Sequence, residues 1–215
     1  MNRTTIEKVI KLLEKNDVTT ALEVLRYERQ VSILNDSNRK PTLLRACRDY
    51  VKQCKKESPN ERLHGVGHWG TRPYLCDGFT MIAWKHEQPE LDALPQTNSN
   101  LNIESIIPPA YECDRLGITA AEQLILKNID KYSKFFKTPI FLWGAYLNPQ
   151  YLVRVLAVIG TDFKEVYLQR HGNVLFENDE VSAYICSLRP SGVNVSEVEE
   201  NTEKFYKLLE QGVTE

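Results

Sequence analysis

The chain of 215 residues contains no apolar run near the roughly 20 residues that a membrane-spanning helix requires, so no bilayer span is expected. Its cysteines are few and scattered, at 47, 54, 76, 113 and 186, with no close pair and an odd count. That pattern argues against a disulfide framework and predicts reduced thiols, as in a cytoplasm. Nothing resembles a signal peptide, since the polar start Met1-Asn2-Arg3-Thr4 leads straight into an amphipathic stretch. Walker, serine-elbow and paired-carboxylate motifs are also missing, and no cofactor is expected. The net charge of -2 is too small to argue for or against a nucleic-acid partner. What remains is an ordinary globular composition, 42% hydrophobic and 26% charged, long enough to bury a core.

The charge is unevenly placed. Lys40 to Lys56 holds six basic residues against Asp49 alone, a local charge of +5, whereas Glu177 to Glu215 sums to -6. Periodicity divides the chain into three parts, with an N-terminal helical extension over 1–40, an α+β domain over 41–190 and a C-terminal helix over 191–215. Residues 4–34 read as two helices broken at Asn16-Asp17, and a third helix opens at Pro41-Thr42. Strands are expected at about 63–68 and 73–84, joined by a tight turn, then a surface loop from His86 to Leu101 and a short strand at Ile103 to Ile107. Thr119 to Lys137 and Ser196 to Gln211 read as helices. The clearest stretch is Pro139 to Pro190. Ile140 to Tyr146 is apolar and reads as a strand, and Asn148-Pro149 then caps and starts a helix that Gly160 ends. Three short strands follow at Val166 to Leu168, Val174 to Phe176 and Val181 to Leu188. No internal repeat is visible.

Reactive side chains are densest at His64, His68, Cys76, Asp77 and His86. On a strand, His64 and His68 would lie about 13 Å apart, too far to share one metal ion, so a structural pair is expected. A thiolate nucleophile at Cys76 would need a histidine base and a lowered pKa, and Asp77-Gly78 reads more simply as a turn. The run G-V-G-H-W-G over 65–70 fits a dinucleotide fingerprint in letters only, because Thr71-Arg72-Pro73 follows where a helix should open. The third helix offers more. Arg45, Arg48, Lys52 and Lys55 or Lys56 fall on one face, opposite Leu44, Cys47, Val51 and Cys54. A row of cations on a helix suits the phosphate backbone of duplex DNA without reading its sequence.

Two motifs carry a family resemblance. Leu63-His64-Gly65-Val66 with Tyr74 to Ala83 is similar to the strand pair of a DNA sliding clamp (bacterial β-subunit type) that ends in T-D-G-h-R-L-A. Leu147-Asn148-Pro149-Gln150-Tyr151-Leu152, with Val155-Leu156, resembles the N-x-x-Y-L-x-x-x-L helix opening of a clamp's last domain, and the strands to Pro190 echo its closing strands. Cys76 stands where the family has Thr, and Thr80 where it has Arg. The likeness covers about 41–190, one repeat where a bacterial clamp subunit has three. It implies a non-enzymatic α+β protein of replication or of a mobile element, with helices toward DNA and sheet outward. Duplex DNA or replication proteins would be its partners, and a ring would need a homo-oligomer. Arg45, Arg48, Lys52, Lys55 and Lys56 would then lie on a lining helix. Two other readings stand beside it, an adaptor that binds protein and not DNA, and a small thiol-dependent enzyme at Cys76.

Overall fold

A computed structural model describes residues 43–210 together with positions 10, 13, 18 and 20–22, which are helical. The rest of the two expected N-terminal helices lies outside the described residues. The chain divides into two units, Met1–Ala46 and Cys47–Glu215, and the division falls inside helix α1 (Leu43–Glu57).

The fold is α+β. Its sheet is antiparallel, with seven strands in the order β1 (Gly67–Trp69), β2 (Arg72–Cys76), β3 (Thr80–Trp84), β9 (Val181–Ile185), β8 (Val174–Glu177), β7 (Glu165–Leu168) and β4 (Asp114–Gly117). The first hairpins comprise β1 (Gly67–Trp69), β2 (Arg72–Cys76) and β3 (Thr80–Trp84). The single strand expected over 73–84 is therefore two, because Asp77-Gly78-Phe79 turns the chain. A one-turn helix α2 (Ile103–Ile106) replaces the strand expected at Ile103 to Ile107. The Asn102 side chain caps it by accepting from the Glu104 and Ser105 amides, and Pro108 follows. Strand β4 (Asp114–Gly117), not foreseen in the sequence, pairs with β7 (Glu165–Leu168) at the sheet edge. Thr119 and Glu122 form a capping box for α3 (Ala120–Phe135).

Ile140 to Tyr146 is a hairpin rather than one strand, with β5 (Ile140–Leu142) and β6 (Ala145–Leu147) joined at Trp143-Gly144. Both turn residues have positive φ, 54° and 80°, as a type I′ turn demands. Helix α4 (Pro149–Ile159) starts and stops where the sequence marks it, capped by Asn148 and ended by Gly160 at φ 82°. After β7 come β8 (Val174–Glu177) and β9 (Val181–Ile185), and α5 (Val195–Glu210) closes the described chain. Helix α5 docks on α3 and the β5–β6 hairpin. Tyr132 meets Phe205 edge-on at 4.9 Å, and the Phe141 amide donates to Thr202 Oγ1. No described helix is long and apolar enough to cross a membrane.

Strand alternation gives the sheet two faces. Thr80, Ile82 and Trp84 of β3, with Ala183 and Ile185 of β9, point toward α1 and α4. Tyr74, Met81, Ala83, Leu175 and Tyr184 point the other way and are covered by Ile103 and Ile107. The segment between His86 and Leu101 is thus no mere surface loop, since Leu91 and Leu94 are buried and the Tyr74 hydroxyl donates to Ser99.

A repeat does exist in three dimensions. A helix followed by a three-stranded meander occurs twice, as α1–β1–β2–β3 and α4–β7–β8–β9, and the meanders meet where β3 pairs with β9. The turns match at a shift of 101 positions. Asp77 Oδ1 accepts from the Phe79 and Thr80 amides, as Asn178 Oδ1 does from Glu180 and Val181. The ends of the seam match at the same shift, with Cys186 N donating to Phe79 O and Lys85 N to Glu180 O. An approximate two-fold axis therefore passes between Ile82 and Ala183.

Candidate nucleic-acid interface

Helix α1 is amphipathic as expected. Leu44, Cys47, Val51 and Cys54 are buried together with Tyr50, and Arg45, Arg48, Lys52, Lys55 and Lys56 are exposed. Burial of the apolar stripe fixes the helix and leaves its cations facing solvent. Lys52 reaches Asp49 at 3.6 Å, but both side chains are more than half exposed, so this pair contributes little. Lys55 and Lys56 occupy the last turn, where the helix dipole favours positive charge.

Tyr50 anchors the opposite face. Its hydroxyl lies 2.6 Å from Thr80 Oγ1, and burial raises its pKa well above the ordinary value, so it stays a neutral hydroxyl. Helix α4 carries one cation, Arg154, and that cation is already committed. Its guanidinium donates to Asp77 and, at 2.6 Å, to Glu57 at the end of α1. It also lies 5.7 Å from the ring centroids of both Tyr50 and Tyr151. The Arg154 and Asp77 side chains are 8% and 3% exposed, so this pair is a buried tie between helix α4 and the β2–β3 turn. Asp77 uses one oxygen for that tie and the other for the Phe79 and Thr80 amides. Burial pushes the Glu57 carboxyl up, but hydrogen bonds from Gln53 and Arg154 outweigh it and hold the pKa below the usual range. In the sequence Asp77 reads as part of a turn, and nothing there joins it to Arg154. A buried pair 77 positions apart leaves no local signal.

The residues of the reactive cluster make separate contacts. Burial pushes the Cys76 thiol up to about 11 and the Cys47 and Cys54 thiols up to about 12, the reverse of what a nucleophile needs. His64 Nε2 lies 2.8 Å from the Ser58 carbonyl, whereas His68 lines a separate hollow with Thr71, Glu87 and Asp92. Among the described residues, no group of three or more His, Cys, Asp or Glu is placed to hold a metal ion.

Two hollows lie beside these elements. One of about 460 Å³, on the sheet face away from α1, is lined by Arg72, Lys85, Ile103, Ile107 and Glu177 among others. The other, about 300 Å³, opens at the end of α1 between Glu57, Ser58, Pro59, Asp77, Phe79 and Tyr151. Phe79 is 55% exposed and stacks nearly parallel on Tyr151, 5.3 Å between centroids. Comparison with protein-family models, curated proteins and solved structures finds no match for this chain.

Proposed function

We propose that the protein is a non-catalytic, clamp-like binder of duplex DNA that holds the phosphate backbone through the exposed cationic face of α1. The observation that carries this reading is the placement of Arg45, Arg48, Lys52, Lys55 and Lys56 on the solvent side of one helix whose other side is buried. Such contacts hold DNA without reading its sequence. Two helices on one face of a sheet also agree with the clamp resemblance, which puts helices toward DNA. One clamp-like repeat per chain cannot surround a duplex, so encirclement would take several copies. Replication proteins and a cytoplasmic location belong to the same reading.

A second reading, an adaptor that binds protein and not DNA, draws on α4. Its single cation is spent on Asp77 and Glu57 and leaves that helix without a charge to offer phosphate. Fluorescence anisotropy with a labelled 20-base-pair duplex separates the two. Under the first reading the wild type binds and the triple reversal R48E/K52E/K55E does not. Absence of wild-type binding at low salt would leave the adaptor. Light scattering of the purified protein then reports whether the copies needed for a ring assemble.

A further inference from the structure

We propose that the hollow at the end of α1 receives an arginine side chain presented by a protein partner. Its Glu57 and aromatic walls suit a planar cation. The carboxylate of Glu57 is 44% exposed and ionised, and the end of α1, where Ser58 and Pro59 line the hollow, carries the negative pole of the helix. Asp77 lies beneath, tied to Arg154, and Glu57, with Lys56 beside it, accepts one hydrogen bond on each oxygen, from Gln53 and from Arg154, and keeps lone pairs for a further donor. The remaining wall is aromatic, formed by Phe79 stacked on Tyr151.

The structure contains its own precedent. The Arg154 guanidinium already rests against Tyr151 and pairs with Glu57, which is the set of contacts a second guanidinium would make from the solvent side with Phe79 and the outer lone pairs of Glu57. The volume of about 300 Å³ admits a single side chain rather than a folded element. The two-fold relation supplies a control within the molecule. The matching turn after β8 keeps the same hydrogen bonds with Glu180 at the tip, so the turn itself does not require an aromatic at position 79. The Phe79 backbone is also fixed, because its amide is held by Asp77, which Arg154 holds in turn, and the ring stacks on Tyr151. A rigid, half-exposed ring beside an ionised carboxylate matches a guanidinium, which stacks and forks at once, better than a lysine ammonium.

The test titrates the peptide acetyl-Gly-Arg-Gly-amide, and its lysine and citrulline counterparts, into the full chain while the Phe79 and Tyr151 ring resonances are followed by NMR. The arginine peptide should shift both rings saturably. The citrulline peptide, which keeps the plane and loses the charge, should bind at least about tenfold more weakly, and lysine should fall between them. Phe79→Ala should weaken arginine binding at least about fivefold, and Phe79→Leu serves if the alanine variant unfolds. Equal binding of arginine and citrulline, lysine binding as tight as arginine, or shifts indifferent to Phe79 would each overturn the assignment. These readouts are independent of duplex affinity, so either proposal can fail alone.

Discussion

Raising salt from 50 to 200 mM should weaken duplex binding by about 150- to 500-fold, a figure that follows from the length and charge of α1. Arg45 to Lys56 spans about 16 Å at about 1.5 Å per residue. One DNA strand presents a phosphate every ~3.4 Å of axis, so about five phosphates lie along that length, as many as the helix has exposed cations. Lys52 is partly neutralised by Asp49, which puts the number of counterions released at about four to five. The slope of log K against log salt is then about -3.6 to -4.5, and fourfold more salt gives the loss stated. Anisotropy at five salt concentrations measures it directly. Replacing Lys52 alone by Gln should flatten the slope by less than about one unit, and R48E/K52E/K55E should remove binding. A slope shallower than about -1, or a triple variant that binds like the wild type, would refute phosphate contact by this face.

Other tests address the framework and the thiols. Arg154→Ala strands the Asp77 carboxylate at 3% exposure and should cost about 3–5 kcal/mol in urea unfolding, whereas the loss of a surface pair would cost under about 1. Because the folded-state pKa of Glu57 is lowered from 4.5, its contribution is complete above that value and disappears as pH falls through the lower folded value. The urea midpoint should therefore drop in that acid range, and Glu57→Gln should remove part of the drop; an identical profile in the variant would count against the Arg154 tie. With its thiol near 11, Cys76 should be about one part in a thousand thiolate at pH 8, and should react with Ellman's reagent far more slowly than a free thiol. Fast labelling of Cys76 would favour the thiol reading. Asn148→Ala should cost about 1 kcal/mol, because its side chain caps α4 by accepting from Gln150, and circular-dichroism melts measure the change.

The sequence revealed elements whose signals are local. Asn148-Pro149 and Gly160 bracket α4 within a residue or two, and the alternation of apolar residues from Val166 onward marks β7, β8 and β9. The face of α1 was legible for the same reason, since helical spacing alone separates its cations from Cys47, Val51 and Cys54. Strand β4 gave no such signal. Asp114-Arg115-Leu116-Gly117 is an edge strand with little buried surface, held partly by the pairing of Arg115 with Glu165 across to β7. Ile103 to Ile107 misled because three isoleucines in five residues fit either element, and the decisive Asn102 cap lies outside the segment. The internal two-fold was hidden because it preserves hydrogen-bond geometry and not residue identity, with Asp77 matched to Asn178 and Phe79 to Glu180. The Arg154 tie and the aromatic hollow were hidden more deeply still, since they exist only after distant segments converge.

The seam between β3 and β9 also fixes an order of events. Each helix and meander joins residues close in sequence, but the seam brings together Ile82 and Ala183 and must close a loop of about a hundred residues. Such a closure is slow and is rewarded only once both meanders present formed edges. The two halves should therefore organise first and zip together last, so that shortening Ile82 to Val would speed unfolding while scarcely slowing refolding. In stopped-flow chevrons the seam would then belong to the unfolding arm, and the lifetime of the native protein would be set at its centre.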